Sequence, residues 1–177
     1  PLRASGEFLG YTVSWDESAL KATLKKTGVA ATKVSFPEYA LRGNLQDMLQ
    51  EELAVFFLTN EVRKRHGTAQ PLGLDVELSK VARLKSKDMS DNNYFDHTSP
   101  TYGSPFEMMD EYGIEYMTAG ENIAAGQKTP EDVVTAWENS PGHLANIKKD
   151  AFDYIGIGAF SGDGKYSIYW TQQFIGN

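Results

Sequence analysis

The order of helical and strand patterns along the chain constrains its fold most. Residues 154–160 and 166–174 read as two strands, and the connection Ser-Gly-Asp-Gly-Lys between them predicts a β-hairpin. The segments between about residue 45 and residue 139 carry helical patterns instead. Helices followed by an antiparallel hairpin favour an α+β layered domain over a doubly wound βαβ fold.

Four helices are predicted ahead of the hairpin. Leu45, Met48, Leu49, Leu53, Phe56 and Phe57 recur at spacings of three and four, which indicates one apolar helix face. Asp75 is suited to cap a second helix, and Thr129 followed by Pro130 is typical of a helix start. The patterns predict helices near 45–65, 75–90, 104–112 and 130–139.

The N-terminal part of the chain predicts a separate, smaller unit. Residues 1–27 read as a short helix followed by a hairpin, residues 28–43 as a linker, and residues 44–177 as the main domain. The first 25 residues resemble part of a copper-amine-oxidase N-terminal-like (stalk) repeat, found in secreted proteins of Gram-positive bacteria. Copper is not implied, because the segment contains no His, Cys or Met.

Composition excludes several classes of function. The net charge is −7 and the pI about 5.0, so nucleic acid and anionic membrane surfaces are poor partners. The chain has no cysteine, which excludes a thiolate nucleophile, a Cys-bound zinc and a disulfide framework. No apolar run approaches the ~18 residues of a membrane span. Because the chain starts at Pro1 without Met, we expect any targeting segment to lie outside it.

Two histidines and two glutamates stand in contexts that suggest chemistry. His97 lies in a turn after the second helix, and His143 lies at the third position of a helix that Ser140 caps. The positive end of a helix dipole disfavours an imidazolium, so we expect His143 to be neutral. Glu138 ends the preceding helix, and Glu121 follows Gly120 on an extended segment.

Four motifs in the right order resemble the CAP superfamily (the cysteine-rich secretory, or SCP, domain), specifically its bacterial single-domain members. They are HTSP at 97–100, GENIA at 120–124, AWENSPGHLANI at 136–147 and YWTQQF at 169–174. The resemblance implies a three-layer α-β-α sandwich with a small antiparallel sheet. It also implies secretion or display at the cell surface, and a cleft site formed by His97, Glu121, Glu138 and His143.

Three functions are compatible with such a cleft. As a binding module, it would hold Zn²⁺ or another divalent cation through His97 and His143, together with an extracellular lipid, peptide or cell-envelope component. As a metal-assisted hydrolase, it would use Glu121 or Glu138 as general base. As a structural adhesion unit, the four residues would form a polar core. The sequence lacks HExxH and a nucleophile elbow, which favours binding over catalysis.

Overall fold

The computed structural model describes residues 39–67 and 70–177, together with the backbone of four strands nearer the N-terminus. These strands are β1 (Ser5–Phe8), β2 (Tyr11–Asp16), β3 (Lys21–Lys26) and β4 (Thr32–Ser35), and they form an antiparallel sheet in chain order. The strands β2 and β3 pair as the predicted hairpin. A strand, β1, takes the place of the predicted N-terminal helix, and β4 lies inside the predicted linker.

Residues 39–67 and 70–177 contain five α-helices and five strands. Their elements are β5 (Leu41–Arg42), a 3-10 turn (Leu45–Asp47), α1 (Gln50–Arg65), β6 (Gly73–Asp75), α2 (Val76–Asp91), α3 (Pro105–Glu111), β7 (Thr118–Ala125), α4 (Pro130–Glu138), α5 (Pro141–Lys148), β8 (Tyr154–Ser161) and β9 (Ile168–Gly176). The four predicted helices and the C-terminal hairpin are confirmed. The first helix starts later than predicted, because the 3-10 turn precedes it.

The five strands form one mixed sheet in the order β5-β6-β8-β9-β7. The three long strands pair antiparallel, as β8 with β9 and β9 with β7, which confirms the small antiparallel sheet. The short strands β5 and β6 extend it in parallel pairing. They are parallel because α1 carries the chain back between them, as in a crossover connection. The strand β7 therefore forms one edge of the sheet.

Helices cover both faces of the sheet and complete the predicted α-β-α sandwich. The helices α1, α4 and α5 bury Phe56, Trp137 and Ile147 against one face. The helices α2 and α3 bury Leu78 and Met108 against the other. Burial of apolar surface on both faces supplies most of the stability of such a layered domain.

Local capping fixes where the helices α2 and α4 begin. The Asp75 carboxylate accepts a hydrogen bond from the Leu78 N–H at 3.0 Å, and the Thr129 hydroxyl accepts one from the Asp132 N–H at 3.1 Å, so both predicted caps are confirmed. Ser140 precedes Pro141 as predicted, but its side chain makes no capping hydrogen bond. The junction between α4 and α5 is a single tight turn, and it brings the start of α5 to the edge of the sheet.

Candidate functional site

A cavity of about 450 Å³ lies beside the C-terminal half of the edge strand β7. Its walls come from both helical layers: the loop after α2 on one side, and α4 with the start of α5 on the other. We call this cavity the cleft. Its lining residues are Phe95, Asp96, His97, Ile123, Ala124, Ala125, Gln127, Ala136, Trp137, Ser140 and His143. The cleft thus combines an apolar floor with a rim that carries two imidazoles.

His97 is anchored by the buried carboxylate of Glu121. The His97 Nδ1 lies 2.8 Å from Glu121 Oε1, and Gln173 Nε2 donates to Glu121 Oε2 at 3.1 Å. Both carboxylate oxygens are therefore engaged. The hydrogen bond to Glu121 raises the pKa of His97, and this outweighs the lowering caused by burial and by nearby Lys85. Because Nδ1 carries the proton toward Glu121, Nε2 is the nitrogen left for a ligand.

The loop that carries His97 rests on a buried polar network from α2. Lys85 is fully buried, and its Nζ donates to the His97 carbonyl at 2.8 Å and to the Tyr94 hydroxyl at 3.0 Å. Three residues further along α2, the Asp88 carboxylate accepts hydrogen bonds from the loop side chains Asn92, Tyr94, Ser99 and Thr101. These bonds fix the backbone of the loop and so determine where the imidazole of His97 stands.

His143 is positioned by a second network on the opposite layer. The buried Asn122 amide donates to the His143 carbonyl at 3.1 Å and to Gln172 Oε1 at 3.0 Å. Asn146 donates to Asn122 Oδ1 at 2.9 Å, which fixes α5 against β7. Burial lowers the pKa of His143, and the charge of His97 lowers it further. A lowered pKa agrees with the predicted neutral imidazole, and burial is its largest cause.

Glu138 stands apart from the other three predicted residues. Its carboxylate accepts a hydrogen bond from Arg65 Nη2 at 2.7 Å and lies 3.0 Å from His66 Nε2, both at the C-terminal end of α1. It does not line the cleft. Consecutive helix residues differ by about 100° around the axis, so the residue after the buried Trp137 points toward α1 instead. The structure brings together His97, Glu121 and His143, and Ser140 lines the cleft beside them.

Several residues that build the cleft were not predicted from the sequence. They are the supporting residues Lys85, Asp88, Asn122, Gln172 and Gln173. The available signal was the pair of adjacent glutamines in a buried C-terminal strand. Neighbouring strand residues point to opposite faces, so one glutamine supports the layer of His97 and the other the layer of His143.

The side chains with metal-ligating groups that line the cleft are His97, His143 and Asp96. Across residues 39–67 and 70–177, no group of three or more His, Cys, Asp or Glu side chains is arranged to hold an ion. Glu121 orients the His97 imidazole from behind, in the way that a carboxylate often orients a metal-binding histidine. Among the helices of the same residues, none is both long enough and apolar enough to cross a bilayer.

The layered fold with a two-histidine cleft at its sheet edge defines a CAP-type domain. The family model described as "CAP: Cysteine-rich secretory protein family" matches residues 56–174, and the chain belongs to this family. Its sequence is 58% identical over 125 residues to YkwD of Bacillus subtilis (strain 168), covering 71% of this chain and 47% of YkwD. The chain therefore spans about half the length of that relative.

Solved structures show the same fold. An extracellular protein containing a SCP domain from Bacillus anthracis str. Ames matches with a TM-score of 0.65 and 23% identity, covering 100% of this chain and 68% of that one. An outer surface protein from Borrelia burgdorferi matches with a TM-score of 0.64 and 23% identity, covering 72% of this chain and 94% of that one. At such identities the likeness concerns the fold.

Proposed function

We propose that this chain is a secreted or cell-surface binding protein whose cleft takes an extracellular ligand. The observation that carries the proposal is the cleft itself. It offers an apolar floor of Ile123, Ala124 and Trp137 beneath the polar groups of His97 and His143. A concave, mostly apolar pocket with a few convergent polar groups is typical of a binding site. The ligand accordingly has an apolar part and a hydrogen-bonding part.

The extracellular location rests on the relatives. Two structures with the same fold are described as an extracellular protein and an outer surface protein. The absence of cysteine does not oppose this location, because a domain with a core of this size needs no disulfides. The acidic net charge of −7 disfavours attraction to anionic lipid headgroups, so we propose the ligand to be a discrete molecule rather than a membrane surface.

The carboxylates of the site favour binding over the alternative, a metal-assisted hydrolase. A general base needs an oxygen within reach of the reacting water. Both oxygens of Glu121 are engaged, by His97 and by Gln173, and Glu138 is held by Arg65 outside the cleft. The exposed Asp96 also lines the cleft, but it caps its own turn by accepting from the Thr98 N–H. Glu121 and Glu138, the two predicted bases, are therefore poorly placed to activate a water in the cleft.

A divalent cation such as Zn²⁺ is a second proposed occupant of the same cleft. His97, through Nε2, and His143 would supply the two imidazole ligands, while Glu121 keeps the proton of His97 on Nδ1. The ion would supply a positive charge that attracts a carboxylate or carbonyl oxygen of the ligand. Two protein ligands hold an ion less firmly than the three usual in catalytic zinc sites.

The binding proposal is tested by filling the cleft. Ala136 lines the cleft from α4, so Ala136→Phe places a ring inside it, whereas Thr135→Phe adds the same ring to the exposed side of that helix. ¹⁵N-labelled protein is titrated with a panel of small amides, sugars and short-chain amphiphiles. We expect shift changes to cluster at residues 123–127 and at His143, to disappear in Ala136→Phe and to persist in Thr135→Phe. If the shift changes fell outside the cleft residues for every compound, the proposal would be contradicted.

A further inference from the structure

Along the edge strand β7, the backbone N–H and C=O groups of every second residue point outward, away from β9. In its antiparallel pairing with β9, the Gly126 N–H donates to the Ile168 carbonyl at 2.9 Å, which continues the register Ala124↔Trp170 and Asn122↔Gln172. Hydrogen-bonded and non-hydrogen-bonded pairs alternate along such a ladder. The even-numbered residues of β7 therefore form the backbone hydrogen bonds to β9. The N–H and C=O groups of Glu121, Ile123 and Ala125 point away from β9.

Side chains cover this edge at its start and leave it open at its end. The Glu121 carbonyl accepts from Asn146 Nδ2 at 3.1 Å, and the Ile123 carbonyl accepts from Trp137 Nε1 at 3.2 Å. In the described part of the chain, the N–H of Ile123 and both backbone groups of Ala125 have no such partner. All three groups belong to residues that line the cleft.

The chain leaves the sheet directly after this open stretch. Gly126 has a φ of +91°, a left-handed conformation that suits glycine, and it turns the backbone into the loop before α4. The next residue, Gln127, lines the cleft, and its side-chain Oε1 is buried without a donor among the described residues. A buried acceptor without a donor is unfavourable, and a ligand N–H would satisfy it if the Gln127 side chain turned into the cleft.

We propose that the cleft binds an extended peptide that pairs with β7 at residues 123–125 as a short added strand. This inference rests on the proposed binding function and names its ligand class. Along this edge the N–H of Ile123, the N–H of Ala125 and the C=O of Ala125 are open, and Trp137 bonds the Ile123 carbonyl between them. A peptide backbone offers C=O and N–H groups to the three open ones, and a lipid tail offers none. The Gln127 Oε1 accepts a further amide N–H. Ala136 and Trp137 form the apolar wall for one peptide side chain.

The test removes one backbone donor and leaves the fold intact. A phage-displayed library of random octapeptides is selected on the full chain, and the enriched peptides are synthesised. Ala125→Pro deletes an outward N–H that makes no bond to β9, and proline is tolerated at such edge positions. Ala119→Pro deletes the equivalent outward N–H on the same strand outside the cleft. We expect Ala125→Pro to weaken peptide binding about tenfold, the value of one hydrogen bond, and Ala119→Pro to leave it unchanged.

A second arm modifies the peptide. N-methylation of alternate amides should abolish binding for one set of positions and spare the other, because only one edge of an added strand faces β7. Peptides that bind Ala125→Pro as well as the parent chain, or tolerate every N-methylation, would overturn the inference. The inference would also be overturned if selection on the parent chain enriched no peptides beyond those enriched on the cleft-filled Ala136→Phe chain. If small molecules still map to the cleft in that case, the binding function stands and the peptide class alone is wrong.

Discussion

The two cleft histidines differ in which protonation state the fold favours. Glu121 stabilises an imidazolium at His97, whereas burial and the charge of His97 disfavour one at His143. The pair therefore accepts one proton readily and resists the second. This asymmetry comes from residue placement, because Glu121 forms its hydrogen bond with His97 and no carboxylate contributes to the pKa shift of His143.

We expect the two imidazoles to titrate on opposite sides of the ordinary value of 6.5. Ring ¹H–¹³C spectra across the pH range should give His97 a pKa above that value and His143 one below it. Glu121→Gln should lower the pKa of His97, since the hydrogen bond to a carboxylate is its largest cause. A reversed order, or an unchanged His97 in Glu121→Gln, would show that the carboxylate does not govern the pair.

Because Glu121 raises the pKa of His97, we also predict that Glu121→Gln lowers the free energy of unfolding by an amount that depends on pH. A folded-state pKa above the unfolded value adds stability that is fully present below the unfolded pKa and is lost as the pH rises through the folded pKa. For His97 this stabilisation begins to decline at about pH 6.5, its ordinary pKa, and continues to decline as the pH rises through its raised folded-state pKa. Urea unfolding should therefore show a larger loss for Glu121→Gln at about pH 5.5 than at about pH 8.5. An equal loss at both values would contradict the coupling.

Metal binding is a residue-scale prediction with a matched control. The double variant His97→Ala/His143→Ala should remain folded and lose Zn²⁺ binding in calorimetry, because both proposed ligands are gone. His66→Ala removes the remaining histidine, which lies outside the cleft beside Glu138, and should leave binding intact. Affinity should fall with decreasing pH, since imidazole ligands must be neutral. Unchanged binding in the double variant would make the histidines structural.

At the scale of elements, predictability followed the length of the pattern. The helices α2 and α4 were placed within one or two residues because their caps and apolar stripes lie in the sequence itself. The strands β5 and β6, with two and three residues, carry no periodicity, and their pairing depends on partners far along the chain. The sequence motif predicted Glu138 in the cleft, whereas the structure places it beside Arg65. The position of a residue within a motif does not reveal the side of the helix toward which a terminal residue points.

The close contact between α2 and β8 leaves no room for a side chain at Gly158, which predicts a large effect of substitution there. A Cβ atom at Gly158 would lie 2.0 Å from the Arg83 backbone nitrogen, whereas one at Gly142 on α5 would meet nothing within 4 Å. Gly158→Ala must push the helix from the sheet, and overpacking of this kind costs about 1–3 kcal/mol or more. Gly142→Ala should be neutral or slightly stabilising. Urea unfolding measures both, and similar midpoints would show that the layers separate easily.

At the scale of the whole molecule, we propose that the CAP domain begins earlier than residue 44, because residues before it contact the domain core. Tyr39 packs edge-on against Phe56 and Phe57, with ring centroids 5.3 and 5.9 Å apart. Arg42 stacks over the Tyr154 ring at 3.7 Å, and its strand adds to the sheet beside β6. The boundary at residue 44 was predicted from composition, which in these residues is that of a linker, whereas their tertiary contacts favour an earlier start.

Two truncations test this boundary. A chain of residues 39–177 keeps the contacts of Tyr39 and Arg42, and we expect its melting temperature to lie within a few degrees of that of the full chain. A chain of residues 44–177 loses two aromatic contacts, one cation–π contact and the edge strand β5. Such contacts contribute about 0.5–1.5 kcal/mol each, so its melting temperature should fall by about 5–10 °C. Equal melting temperatures for the two truncations would place the boundary at residue 44, and failure of residues 39–177 to fold would mean that the domain requires the segment before it.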